Sequence, residues 1–283
     1  MIRLFTPSSE LVPAKSSLPS SYRIPWADWL APTMVGLVVL ALWELSVRWT
    51  NTPPYLLPGP ILVVKTLIQD WNRLFPSLMV TLKITIAAFG LAVVSGLFIS
   101  ILFAQNRWVE RSFFPYAVML QTTPIVAIAP LIIIWCKNST FLALIICAWI
   151  VALFPIIANT TLGLKSTDPN LVNLFKLYHA TRWQTLLYLR LPSAMPYFLG
   201  GLRISGGLAL IGAVVAEFVA GTGGQRSGIA YQILMSSYNL QIPRMFAALL
   251  MTAGLGVLIF VLLTLCSEFL LRHWHESALP GDM

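Results

Sequence analysis

The chain has 283 residues, is 58% hydrophobic and carries charge on only 10% of its positions, against roughly 25% in a soluble domain. Its mean hydropathy is +0.81 and its formal net charge +8. This composition excludes a soluble globular enzyme and points to an all-α, polytopic helical membrane protein. The basic residues fall between apolar runs, so membrane topology accounts for the charge and nucleic acid does not.

Residues 1–29 form a polar tail that is rich in Ser and Pro and has no signal-peptide cleavage pattern. Six apolar runs follow, near 30–49, 82–106, 112–135, 139–163, 198–220 and 245–270. Each is long enough to cross hydrocarbon, which takes about 20 residues. The windows Ile84–Asn106, Ser112–Cys136, Asn138–Leu164 and Met245–Ser267 contain no Asp, Glu, Lys or Arg. Glu44 and Arg48 lie four apart near one end of the first run, a spacing that pairs them on a helix face. Placing the N-terminus in the cytoplasm puts eleven basic residues inside and six outside, with Lys83 at a boundary. Both termini are therefore expected to be cytoplasmic. The six-span domain is expected over 30–271, with a cytoplasmic loop at 165–197 and a short C-terminal tail at 272–283.

Two connections exceed simple turns. Residues 50–80 predict a Pro-rich turn, NTPPYLLPGP, and an amphipathic helix on the outer surface. Residues 221–243 begin Gly-rich and continue with an apolar patch too short to span. A re-entrant or interfacial segment fits that pattern, and so does an exposed loop. No internal repeat is visible, which argues against an inverted-repeat carrier.

The residues offer little chemistry of their own. His179, His273 and His275 all lie outside the apolar runs, and Cys136, Cys147 and Cys266 have no metal-ligand spacing. No catalytic or metal site is expected, and no cofactor bound by this chain. The Gly-dense GTGGQRSG at 221–228 lacks GxxxxGK[ST], so any ATP hydrolysis belongs to another polypeptide. Glu217 is the only acidic residue deep in an apolar run. A charge at the bilayer centre costs about 2.5–3.5 kcal/mol on insertion scales, so it must face protein or water. It reads either as a translocation-path or gate residue or as a structural hydrogen-bonding group near the outer end of the fifth run.

The loop at 165–197 is the informative stretch. Ser166-Thr167-Asp168 before Pro169 is a helix-start signal. Leu171, Leu174, Phe175 and Tyr178 recur at helical spacing. A break at His179-Ala180-Thr181 follows, and Trp183, Leu186, Leu187 and Leu191 repeat the period until Pro192, where a stop is expected. The pattern predicts a hairpin of two short helices, basic at its flanks and half apolar. It suits either a lipid surface or a soluble docking partner.

This loop resembles the cytoplasmic signature loop of ATP-binding-cassette import permeases: Glu-Ala-Ala, three residues, Gly, nine residues, then Ile-x-Leu-Pro. Here Asn173, Leu174 and Phe175 stand at the triplet, His179 at the Gly and Leu189 at the Ile, while Leu191-Pro192 match. ATRWQTLLYLRLPSAMPYFLGGLRISGGLAL followed by VVAEF, LLPGP at 56–60 and TPIVAIAPLIIIW at 123–135 resemble the nitrate, taurine, sulfonate and bicarbonate group of these permeases. The resemblance covers about residues 35–270. The triplet and the Gly are replaced, so His179 would need a left-handed backbone to keep the turn.

The resemblance implies a transmembrane subunit that forms the translocation pathway, in the inner or plasma membrane of a bacterium. Its implied partners are a separate ATPase subunit that carries the ATP, a periplasmic or lipid-anchored substrate-binding protein, a second permease subunit (identical or not) and membrane lipid. ATPase coupling is expected at Asn173, Leu174, Phe175, Lys176, His179, Ala180, Thr181 and Arg182, with Leu191 and Pro192 ending the hairpin. Leu174 and Phe175 would be the apolar plugs. The solute would be a small anion or a small vitamin precursor. The competing reading is a self-contained secondary carrier or channel, which would need polar groups gathered at the midplane; Glu217 is almost alone there. A membrane scaffold is a third reading, against which the loop pattern speaks.

Overall fold

A computed structural model describes residues 27–136, 139–221 and 227–271. The tail before residue 27, His273, His275, Lys137, Arg226 and most of the GTGGQRSG stretch lie outside them. Every regular element among the described residues is helical. The chain divides into two bodies, residues 1–51 and 52–283.

The first body contains α1, Ala27–Trp49. Its 23 residues span about 35 Å at 1.5 Å per residue, enough to cross hydrocarbon. The expected pair forms: Arg48 Nε donates to Glu44 Oε1 at 2.7 Å.

The second body begins with α2 (Pro60–Gln69), started by Pro60 at its first position, where the missing N–H costs nothing. Only Asp70 separates α2 from α3 (Trp71–Gln105). The helix expected after the Pro-rich turn, ILVVKTLIQDWNRL, is thus α2 over most of its length, and only its last residues, from Trp71, belong to the 35-residue α3, which starts well before the second apolar run. The apolar run marks only the part of that helix rich enough to stand out. α4 (Arg107–Thr122) starts on Asn106, whose side chain accepts from Trp108 N–H at 2.9 Å.

The third apolar run is not one straight helix. α4 ends at Thr122, α5 (Ile125–Trp135) begins after Pro124, and the two axes differ by 99°. Pro124 supplies no N–H and disfavours helical geometry at Thr123, whose φ and ψ are −73° and 126°. Among the described residues five helices are long and apolar enough to cross a membrane, six if this bent pair is counted as one span.

α6 (Thr140–Lys165) is the centre of the body, packed between α3 and α9 (Leu191–Ala220). Apolar burial does not by itself press helices together in lipid, so small residues that allow close approach matter. Gly212 on α9 shows this: an added Cβ would sit 2.8 Å from Ala148 Cα of α6. Seven residues earlier, Ser205 Oγ donates to the Ala152 carbonyl at 2.6 Å. α11 (Ile242–Leu271) packs on α9 and α2. Beside it, α10 (Ile229–Tyr238) occupies the predicted short segment.

Between α6 and α9 lies the loop. α7 covers Pro169–Leu177, α8 covers Arg182–Thr185, and a π-helical turn over Leu186–Arg190 leads directly into α9. The expected stop at Pro192 is therefore absent: residues 182–220 are one continuous helical rod. The π turn is the physical reason. Leu191 N–H bonds to the Leu186 carbonyl five residues back, which loosens the backbone just before the proline ring. Ser193 Oγ then satisfies the Leu189 carbonyl at 2.8 Å.

Candidate functional site

Two constellations stand out, one at each end of the 182–220 rod. The first is the corner between α7 and α8. Asp168 caps α7 by accepting from Asn170 N–H at 2.8 Å, and Pro169 occupies the first turn. The helix ends when His179 takes φ +52°. His179 N–H bonds to the Lys176 carbonyl at 3.0 Å and Ala180 N–H to the Phe175 carbonyl at 2.9 Å. This is the paired closure usually built around a left-handed Gly. The turn expected of a Gly thus survives with His in its place.

α8 starts at once. Thr181 Oγ1 accepts from Gln184 N–H at 3.2 Å while Gln184 Oε1 accepts from Thr181 N–H at 2.7 Å, a reciprocal capping box. A helix end and a helix start, back to back, make a sharp corner with its backbone groups satisfied locally.

The corner is anchored on one side and open on the other. Leu186 and Leu189 are buried, Leu186 packing with Leu164 and Ala194. Arg190 Nη1 donates to the Ala104 carbonyl at the end of α3 at 3.4 Å, and Lys165 pairs with Glu110 of α4. α7 contributes no buried residue. Leu171 and Leu174 are exposed, Leu177 is 77% exposed and Tyr178 80%. Asn173, Lys176, His179, Thr181 and Arg182 are also exposed, with Phe175 and Ala180 half-buried. Asn173 through Arg182 therefore lie together on and around one open apolar face. Pro192 is exposed and Leu191 half-buried further along the rod, beyond the π turn. Sequence reasoning overlooked Leu177. Its signal was present in the three-residue step Leu171, Leu174, Leu177.

The second constellation surrounds Glu217, which is 3% exposed. Thr81 Oγ1 of α3 lies 2.7 and 3.0 Å from its two carboxylate oxygens, and Ala230 N–H donates to Oε2 at 3.1 Å. Ile229 N–H donates to Thr81 Oγ1 at 2.9 Å. The first N–H groups of α10, orphaned by helix geometry, are thus capped by side chains from two other helices. Its own N-cap residue, Gly228, makes no side-chain cap. It has no room for one: a Cβ there would overlap the Glu217 carboxylate. The polar seam continues along α3. Gln232 Nε2 donates to Ser77 Oγ at 3.2 Å and Arg73 Nε to Gln232 Oε1 at 3.2 Å. At the same end, Arg244 grips Asp70 with two bonds of 2.6 and 3.2 Å. Sequence reasoning singled out Glu217 and missed its partners. The four-residue step Arg73, Ser77, Thr81 was their signal.

Residues 92–272 match the family described as binding-protein-dependent transport system inner membrane component. The chain is similar to the formylaminopyrimidine transport permease protein ThiX of Halalkalibacterium halodurans, 35% identical over 88% of this chain and 97% of that protein. It is similar to the riboflavin transport system permease protein RibX of Chloroflexus aurantiacus, 31% identical over 91% of this chain and 94% of that protein. It also resembles the putative aliphatic sulfonates transport permease protein SsuC of Bacillus subtilis, at 29% over 88% and 89%. Its fold matches a chain of the inward-facing MetNI methionine ABC transporter with TM-score 0.60 at 16% identity, covering 72% of this chain and 96% of that one. Five to six candidate spans among the described residues and these matches agree: the chain belongs to the binding-protein-dependent permease family, as a multi-pass inner-membrane transport subunit of an ATP-binding-cassette importer whose ATPase is a separate subunit.

Proposed function

We propose that this permease takes its power stroke from the ATPase subunit through the α7–α8 corner and imports a small nitrogen heterocycle of the vitamin-precursor class. The observation that carries the coupling role is the open apolar face of α7 on a corner whose other side is anchored. An apolar face of this kind on a short helix seats in a hydrophobic groove of a partner. Leu174, Leu177 and Tyr178 are the plugs, Phe175 braces them from the half-buried side, and Lys176 and Arg182 form the polar rim. Nucleotide-driven closure of two ATPase subunits moves the seated corner, and the rod behind it moves with it. Two permease subunits enclose the path, and an external binding protein delivers the solute. Both termini and the corner are then cytoplasmic, an orientation that the distribution of basic residues supports.

The solute class rests on the relatives. Those at 35% and 31% identity are named for a pyrimidine and a flavin, and a sulfonate permease follows at 29%. The test is purification of the subunit from its native membranes in mild detergent, with every stoichiometric partner identified, followed by uptake assays on the reconstituted complex. Formylaminopyrimidine, riboflavin, an alkylsulfonate and nitrate form the solute panel. A partner carrying GxxxxGK[ST] and uptake of a heterocycle are expected. Recovery of a homo-oligomer that transports without ATP would overturn the coupling, and uptake confined to sulfonate or nitrate would overturn the solute class.

A further inference from the structure

Glu217 is a buried acid that the coupling mechanism does not use, and its surroundings say what it does. A residue that meets a passing solute needs an open face and a free hydrogen-bonding position. Glu217 lacks the open face: it is 3% exposed, and each of its two oxygens already has a donor from a neighbouring helix, Thr81 Oγ1 or Ala230 N–H. Thr81 in turn is fully committed, donating to Glu217 and accepting from Ile229 N–H. One carboxylate and one hydroxyl thus tie three separate helices, α3, α9 and α10, at a single point.

α10 packs on α11 through its buried Ile229 and Ile233, and the tie is what fixes its N-terminal end. α3 and α9 are also joined to α6 along their lengths. α10 has ten residues, about 15 Å, and cannot form an independent helix of any stability at that length. Gly228, its N-cap residue, has no side chain, and the space beside it is filled by the carboxylate. Gln232 and Ser236, its other buried polar residues, face the same interior side, and Gln232 is held by Ser77 and Arg73. Buried polar groups left without partners cost about 1–3 kcal/mol each: loss of the carboxylate strands Ala230 N–H, and loss of the Thr81 hydroxyl strands Ile229 N–H.

We infer that Glu217 is a positioning residue for transport: with Thr81 it latches the N-terminus of α10 into the helix bundle, and it acts through the seat of α10 rather than on the solute. The role in transport rests on the importer reading above; the latch itself does not.

The experiment compares two buried serines in a background where the native cysteines are replaced. Ser236→Cys probes α10 and Ser100→Cys probes the far half of α3; both sites are at most 2% exposed. The permease, in complex with its ATPase and binding protein in proteoliposomes, is treated with a membrane-permeant maleimide. With Glu217→Ala, labelling of Ser236→Cys should accelerate about tenfold or more, the factor that about 1.4 kcal/mol of lost local stability brings. Ser100→Cys should stay protected, since general unfolding would expose both. Binding-protein stimulation of ATP turnover should fall about tenfold while the ATPase still co-purifies. Glu217→Gln keeps one acceptor oxygen and should fall between wild type and Glu217→Ala in both readouts. Thr81→Val removes the hydroxyl at nearly constant shape and gives the same pattern where Glu217→Ala does not accumulate.

Protection of Ser236→Cys in Glu217→Ala equal to wild type overturns the latch. Release of α10 with undiminished stimulation overturns its role in transport. Wild-type complex that contains no ATPase overturns the importer reading instead, and the labelling of Ser236→Cys still decides the latch.

Discussion

His179 holds a conformation that costs an L-residue roughly 1–2 kcal/mol, with φ at +52°. Its neighbours over-determine it: two backbone bonds close α7 behind it and a capping box opens α8 two residues ahead. The cost is lowest for Gly, moderate for Asn, Asp and His, and highest for β-branched residues. His179→Gly should therefore keep the corner and its affinity for the ATPase within about twofold of wild type. His179→Val should lower that affinity about tenfold, since about 1.4 kcal/mol of added strain has that effect. Titration of the detergent-solubilised permease with ATPase measures both, and equal affinities for Gly and Val variants would show that the corner does not depend on residue 179. The replacement of Gly was visible in the sequence, and so was the conformation it forces. The partners of Glu217 were not. Side chains more than a hundred residues apart in sequence meet there; the step Arg73, Ser77, Thr81 marks a polar helix face, but nothing local says which helix it caps.

At the scale of elements, the apolar runs located the helices because hydrocarbon demands long uninterrupted stretches. Their ends were less legible. α3 begins at Trp71 because helix geometry tolerates the polar residues that interrupt the run. The break at Thr123–Pro124 was hidden inside a charge-free window, and the rod passes Pro192 because a π turn absorbs the ring. Pro76, Pro115, Pro155 and Pro196 also lie inside helices, since neighbouring helices and local adjustments satisfy the freed backbone groups in such bundles. The start of α7 was legible to the residue, since Asp168 and Pro169 form a cap and first turn whatever follows. α7 also carries a direct expectation. Leu177→Asp places a charge on the most exposed part of its apolar face without touching a buried contact. Association with the ATPase should weaken at least about tenfold, as for a central interface anchor, while insertion and the amount of folded permease stay unchanged. Pull-down of the ATPase from membranes expressing equal amounts of each variant checks this; equal recovery would move the contact elsewhere.

For the whole molecule, the charge distribution predicts one arrangement across the membrane. Leu177→Cys should react with a membrane-impermeant thiol reagent only in inverted vesicles, and Tyr238→Cys only in intact spheroplasts. The reverse result would turn the molecule over and remove α7 from the ATPase. Both positions are exposed, so failure to react from either side would not follow from burial.

The rod from Arg182 to Ala220 has 39 residues without a break, about 58 Å, nearly twice the hydrocarbon thickness of roughly 30 Å. One of its tips is the corner on α7, and Glu217 lies one turn from the other. A stiff helix of that length behaves as a crankshaft. Rotation applied at one tip reappears at the other without relays of side chains in between, and a small tilt becomes a displacement of several ångströms at the far end. The five-residue π turn is the soft joint in this shaft. It sits close to the α7 tip, so under the proposed coupling a change of twist there alters the direction of the stroke and leaves its length intact.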